Sequence, residues 1–261
     1  MSDLPTPLDT GEADLPVLLC LHSLFLDPRM FDGLAEEAAG RFRVVRPTFR
    51  GQGAHALEVH STVTMDECAD DVIELVDSLG LAPTRVVAQS MGGDVAIRVA
   101  ARRPDIVSAM ALLGSSARSE PPENLEAFRP IADAVEASGF QGEVLDTTMA
   151  IMFGETSRAD PSKADVVELW HERIASLSPQ LCHAIRGVIE REDVTHLLPR
   201  IDLPVLVVSG TEDIARPPEW ADEVVAGLPQ ASLLRLESVG HSPILEAPDM
   251  VIGKVLDFFS R

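Results

Sequence analysis

The sequence predicts an α/β fold in which helices cover both faces of a mainly parallel, doubly wound sheet and a helical segment is inserted. Six apolar runs of strand length show little alternation of polar and apolar residues, which is typical of strands buried on both faces. Helical patterns separate several of these runs, and this order favours parallel strands. The runs cover residues 15–21, 41–47, 85–89, 106–114, 203–210 and 231–238.

The first apolar run begins after only about fourteen residues. That length is too short for an antiparallel hairpin with its loop, so the sheet is expected to contain about six parallel strands. The clearest helical pattern extends from Thr64 to Leu79. Thr64 and Glu67 have the spacing of a capping box, one apolar stripe follows, and Gly80 ends the helix.

Residues 116–200 interrupt the alternation of strands and helices. They contain the helical patterns LEAFRPIADAVEAS and VVELWHERIASL and no convincing strand. The sequence therefore predicts one core domain, formed by residues 1–115 and 201–261, with a helical cap, or lid, inserted at residues 116–200.

Composition and charge limit the partners of the chain. Hydrophobic residues make up 46% of it, and no apolar run approaches the roughly 20 residues that span a bilayer. The net charge of −21 repels nucleic acid and anionic membrane surfaces. The amino terminus lacks a signal-peptide pattern and the three cysteines are scattered, so we expect a cytoplasmic protein without a metal site. The sequence does not specify an oligomeric state.

The stretch VVAQSMGGDVA, residues 86–96, places Ser90 in the turn between a buried strand and a helix. The chain has to reverse within about one residue there, which strains the serine backbone and requires small neighbours. Ala88 and Gly92 meet that requirement. The pattern predicts a nucleophilic serine.

Ser90, Asp213 and His241 each follow an apolar run, in that order along the chain. Because chemistry gathers at the carboxyl ends of strands in a doubly wound sheet, we expect their side chains to meet. A serine alcohol needs an imidazole to take its proton, and the imidazole needs a carboxylate to fix its tautomer, so the three predict a catalytic triad. Glu212 is an alternative acid, and Asp213 could instead cap the following helix.

The blocks AQSMGG, GTEDIARPP and VGHSPILEAPD resemble the α/β-hydrolase-fold superfamily, and the resemblance covers nearly the whole chain. It implies an α/β-hydrolase fold and an oxyanion hole formed by the backbone N–H groups of Met91 and Leu24. Most relatives have His-Gly where this chain has His22-Ser23, a change that stiffens the oxyanion loop.

Within that fold the chain is similar to 3-oxoadipate enol-lactonases in Ser-Leu after the first strand, in RGQG, in the end of the lid and in length. A carboxylated lactone would need a local cation, and Arg129, Arg173 and Arg186 are the candidates in the lid. Arg186 is preferred because its neighbours are apolar and no acid follows it until Glu190. The alternative for Arg186 is an ion pair on a solvated helix face. The predicted substrate contacts are His22, Ser23, Phe25, Trp170 and Arg186.

The leading hypothesis is a serine hydrolase that needs no cofactor and cleaves a carboxylic ester or lactone of a small apolar acid through an acyl-enzyme. A C–C bond hydrolase, a thioesterase and a perhydrolase are alternatives, because the same triad supports each reaction. A non-catalytic small-molecule receptor on the same fold is a further alternative.

Overall fold

The computed structural model describes residues 6–260 and contains one seven-stranded sheet. Its strands are β1 (Leu8–Asp9), β2 (Val17–Leu21), β3 (Arg43–Arg46), β4 (Thr84–Gln89), β5 (Val107–Leu113), β6 (Val205–Gly210) and β7 (Ala231–Leu236). They lie in the order β1-β3-β2-β4-β5-β6-β7. All neighbouring strands in this order are parallel except β1 and β3. All residues of β2 and β6 are buried, as the uniform apolar runs predict.

The expected mainly parallel sheet of about six parallel strands is confirmed, and one edge carries a further, antiparallel strand that the sequence did not predict. The two-residue strand β1 pairs antiparallel with β3, joining Leu8 to Arg46 and Asp9 to Val45. The Nε and Nη2 atoms of Arg43 donate to the Asp9 carboxylate at 3.0 and 2.6 Å. A strand held in this way needs no hairpin, so the short amino-terminal segment can still extend the sheet.

The helices pack on both sides of the sheet, and α2 has the ends that the sequence predicts. The Thr64 side chain accepts from the Glu67 N–H, the Glu67 carboxylate accepts from the Thr64 N–H, and Gly80 ends the helix in the left-handed conformation. The helices of the core are α1 (Asp32–Glu37), α2 (Met65–Leu79), α3 (Met91–Arg102), α9 (Pro218–Gly227), α10 (Pro243–Glu246) and α11 (Pro248–Phe259).

Residues 116–200 lie between β5 and β6 and contain helices but no strand. These helices are α4 (Pro122–Ser138), α5 (Glu143–Met152), α6 (Glu155–Ala159), α7 (Ala164–Ala175) and α8 (Cys182–Ile189). Buried residues of this segment, such as Phe153 and Ile185, join one continuous apolar cluster with the residues around the sheet. None of the helices within residues 6–260 is long and apolar enough to cross a membrane.

Candidate active site

Ser90 lies in a sharp turn between β4 and α3. Its φ and ψ are 52° and −115°, a conformation that L-residues rarely adopt, so the predicted strained turn is confirmed. The Ser90 N–H donates to the Leu113 carbonyl of β5 at 2.9 Å, which fixes the turn to the sheet. A Cβ on Gly92 would lie 2.2 Å from the Leu21 carbonyl oxygen, so only glycine fits there.

Asp213 and His241 form a buried pair. The His241 Nδ1 lies 2.9 Å from each carboxylate oxygen of Asp213, and Oδ1 also accepts from the N–H groups of Ala215 and Arg216. A carboxylate only accepts, so Nδ1 carries the ring proton of the neutral imidazole and Nε2 keeps the lone pair. The pair therefore leaves Nε2 free to act as a base.

The neighbouring acid, Glu212, turns away from the imidazole. Its carboxylate accepts from the Thr156 N–H at 2.8 Å and from the Thr156 hydroxyl at 2.5 Å. These hydrogen bonds hold the pKa of Glu212 below its usual value. Of the two candidate acids, only Asp213 contacts His241.

Two further side chains fix the loop that carries His241. The buried Glu246 carboxylate accepts from the N–H groups of Gly240 and Ser242, on either side of His241, and from that of Gly154 in the inserted segment. The Gln89 amide donates to the His241 carbonyl at 3.2 Å. Sequence reasoning missed both. The one signal in the sequence was that each is a polar residue in an otherwise apolar stretch: Gln89 directly before Ser90, and Glu246 shortly after His241.

Ser90 and His241 line the same cavity, which encloses about 570 Å³ of empty space, part of it open to solvent. Two predicted substrate contacts, Ser23 and Phe25, also line it. So does Leu24, the predicted oxyanion donor. The rest of the wall is mainly apolar and comes largely from the inserted segment: Phe128, Ile131, Ile151, Met152, Ile185, Val188 and Ile189, with Ala215, Glu120 and Arg216.

Met91 and Trp170, two further predicted site residues, lie away from the cavity wall. Met91 begins α3, and its side chain is buried with Sδ 3.1 Å from the Gln52 amide nitrogen. Trp170 is buried inside the inserted segment beneath the guanidinium of Arg173, 4.7 Å from the ring centre. The predicted substrate contact of Trp170 is therefore corrected to a packing role.

The predicted role of Arg186 also needs correction. Its Nη2 donates to Asp133 at 2.8 Å and to Glu136 at 2.5 Å, both on α4, and Arg186 is not among the cavity-lining residues. These carboxylates hold the guanidinium on the outside of the segment. The alternative weighed from the sequence, an ion pair on a helix face, is the arrangement found.

His22 is buried and positions the loop after β2 without lining the cavity. Its Nδ1 donates to the Ser23 carbonyl at 2.8 Å, and its Nε2 accepts from the Phe49 N–H at 3.2 Å. Because C=O and N–H point in opposite directions across a trans peptide, this contact turns the Leu24 N–H away from His22. Burial lowers the pKa of His22 to about 4.

The lowered pKa of His22 predicts a pH-dependent stability. From pH 6.5 down to about 4 the unfolded chain binds a proton that the folded chain excludes, so the free energy of unfolding falls as the pH falls. Between pH 7.5 and 5 we expect wild type to lose about 2 kcal/mol more than His22→Asn, measured by urea denaturation. The exposed His60→Asn variant should follow wild type. Parallel losses in His22→Asn and wild type would contradict the neutral, buried state.

A buried group of four charges, which the sequence did not reveal, joins the inserted segment to the core. Glu120 accepts from Arg191 and Arg216 at 2.8 and 2.7 Å, and Arg216 also donates to Asp94 at 3.2 Å. Burial raises the pKa of Glu120, but the two guanidiniums outweigh it and the net pKa is lowered. Asp94 follows Ser90 by one helical turn and Arg216 follows Asp213 by three residues, so the group also connects the segments that carry the predicted nucleophile and the predicted acid.

Comparison with known proteins agrees with this architecture. The model of the Alpha/beta hydrolase family matches residues 18–254.

A pimeloyl-[acyl-carrier protein] methyl ester esterase of Chromobacterium violaceum is 31% identical over 236 residues, which cover 88% of this chain and 89% of that protein. An esterase of Thermogutta terrifontis, solved with malate bound, is 31% identical with a TM-score of 0.86, covering 97% of this chain and 92% of its own. The enol-lactonase of Burkholderia xenovorans is 25% identical with a TM-score of 0.89, covering 98% and 96%. The resemblance seen in the sequence motifs is thus confirmed, and the chain belongs to the alpha/beta hydrolase family.

Proposed function

We propose that the chain is a serine hydrolase that cleaves a carboxylic ester or lactone whose acyl group is small, apolar and uncharged. The observation that carries this proposal is the opening of Ser90 and of the Asp213–His241 pair into one mainly apolar cavity. Two of the relatives described above are named esterases and one is named an enol-lactonase, which supports the same class of reaction.

In the proposed mechanism the Ser90 oxygen attacks the carbonyl carbon while Nε2 of His241 takes the serine proton. Asp213 stabilises the imidazolium that forms. The tetrahedral intermediate expels the alcohol, which receives the proton from His241, and an acyl group remains on Ser90. A water molecule, deprotonated by His241, then attacks the carbonyl carbon of the acyl-enzyme. The bond to the Ser90 oxygen breaks, that oxygen takes the proton back from His241, and the carboxylic acid is released.

The negative oxygen of the intermediate is proposed to bind the N–H groups of Met91 and Leu24. The Met91 N–H belongs to the first residue of α3, where helix geometry provides no internal acceptor. The Leu24 N–H has its direction set by the contact between His22 and the Ser23 carbonyl. Both donors thus lie on backbone that is fixed before a substrate arrives.

The charges of the cavity wall favour a substrate with an uncharged acyl group. Its two charged residues, Glu120 and Arg216, bind each other, and Asp94 and Arg191 complete a group with no net charge. Arg186 is held outside by two carboxylates. A substrate carboxylate would therefore lose water without gaining a free cation from the described residues of the cavity wall.

Steady-state turnover of matched p-nitrophenyl esters tests the proposal. We expect multiple turnovers of the butyrate ester and a kcat/KM at least about tenfold lower for the hydrogen glutarate ester, whose distal carboxylate must enter an apolar wall. A higher kcat/KM for the hydrogen glutarate ester than for the butyrate ester would contradict the proposal that the acyl group is uncharged. Binding of esters without multiple turnover would favour a receptor, and turnover of a butyryl thioester alone would favour a thioesterase.

A further inference from the structure

We propose that the Ser23 hydroxyl is a third donor to the oxyanion, acting beside the N–H groups of Met91 and Leu24. This inference rests on the proposed hydrolase function and adds a catalytic side chain to it. The hydroxyl keeps its proton throughout and donates a hydrogen bond to the negatively charged oxygen, so no proton transfer is involved.

The register of the sheet places Ser23 beside the nucleophile. β2 and β4 are parallel neighbours in which Leu21 pairs with Ala88. Ser23 and Ser90 each lie two residues beyond that pair, at the carboxyl ends of adjacent strands, which are about 5 Å apart. Both serines line the cavity that also contains His241.

The Ser23 hydroxyl is buried and has no hydrogen-bond partner. The residue has no solvent exposure, and its Oγ bonds to no atom of the described residues. A buried hydroxyl without a partner destabilises the folded state, so such a group calls for an explanation. A substrate oxygen bound in the cavity would supply the missing acceptor.

The surrounding contacts favour a donor, because the imidazole next to Ser23 in the chain cannot act as its base. His22 is the imidazole next to Ser23, but its Nδ1 proton is bound by the Ser23 carbonyl and its Nε2 lone pair by the Phe49 N–H. His22 therefore has no free site to accept the Ser23 proton. The same contact with the carbonyl fixes the Ser23 backbone, so the hydroxyl is held near the reacting carbonyl before substrate binds.

The other polar residues of the wall have different partners or roles. Glu120 and Arg216 bind each other at 2.7 Å. Ser90 and His241 undergo the covalent and proton-transfer steps of the proposed reaction. Ser23 is the remaining polar side chain among the described cavity residues, and its hydroxyl can donate one hydrogen bond.

The test compares Ser23→Ala and Ser23→Cys with Ser116→Ala in the intact protein. Ser116 is a matched control because it is fully buried, its Oγ also lacks a partner among the described residues, and it does not line the cavity. With p-nitrophenyl butyrate, Ser23→Ala should lower kcat by about ten- to a hundredfold with little change in KM. Ser23→Cys, which keeps the shape but donates weakly, should show a similar loss. Ser116→Ala should stay within about twofold of wild type.

Two further readouts separate catalysis from packing. The dissociation constant of an alkyl boronate, whose adduct with Ser90 is tetrahedral and anionic, should rise in Ser23→Ala by about the factor by which kcat falls. The Tm should stay equal or rise, because the variant removes an unpartnered hydroxyl. If wild type turns over esters and Ser23→Ala keeps its kcat, only this inference is overturned. If wild type shows no turnover, the proposed function is overturned together with it.

Discussion

Ser90→Ala is expected to lower kcat for a p-nitrophenyl ester by about five to six orders of magnitude. The variant lacks the atom that would form the acyl-enzyme, and only binding and the oxyanion donors remain to assist attack by water. The fold should persist, because the turn is held by the hydrogen bond from the backbone N–H of residue 90 to the Leu113 carbonyl, which alanine keeps. Stopped assays at high enzyme concentration and thermal unfolding measure the two effects.

An alkyl phosphonate ester provides the control for this result. Intact-mass analysis should find one phosphonyl group on wild type and on Ser116→Ala, and none on Ser90→Ala. Phosphonylation of Ser90→Ala at the wild-type rate would show that another residue is the nucleophile. Ser23 would be the first to examine, because it lines the same cavity, although both nitrogens of His22 are already bonded.

The sequence predicts those elements whose signals are local. Burial on both faces marks each long strand as an apolar run, and the Thr64–Glu67 spacing and Gly80 define α2 from its own residues. The strand β1 could not be predicted in this way. It has two exposed residues, and its position depends on Arg43, which is 34 residues from Asp9 in the chain.

The same distinction between local and distant contacts explains which site residues could be predicted. The positions of Ser90, Asp213 and His241 follow from the order of strands along the chain. The acids that bind Arg186 lie 50 and 53 residues away on another helix, so its local sequence made it look unpaired. Glu120 and Arg216 are 96 residues apart, and only the folded chain shows that their charges cancel.

The inserted segment contacts the loops of both predicted catalytic partners. Glu246 joins Gly154 to the backbone around His241, and Glu212 joins Thr156 to the loop of Asp213. These contacts use backbone N–H groups, which every residue type except proline offers, so sequence patterns do not reveal them. They imply that the segment helps to position the imidazole and its carboxylate as well as to form the cavity wall.

Asp213→Asn is expected to lower kcat by about four orders of magnitude with the fold intact. Oδ1 of Asp213 accepts from the N–H groups of Ala215 and Arg216, so the amide oxygen of asparagine should keep that place and its NH₂ group should face His241. Nδ1 must then accept a hydrogen bond, which moves the ring proton to Nε2. In that tautomer Nε2 has no lone pair for the Ser90 proton.

Glu212→Gln is the matched control for Asp213→Asn, because it makes the same chemical change one residue earlier, at a carboxylate that is hydrogen-bonded to Thr156. Its kcat should stay within about threefold of wild type, since Glu212 does not touch His241. Both variants should be compared at the same pH with a neutral ester, with Tm measured in parallel. A thousandfold loss in Glu212→Gln together with a small loss in Asp213→Asn would make Glu212 the acid partner. Comparable small losses in both would mean that His241 acts without a carboxylate.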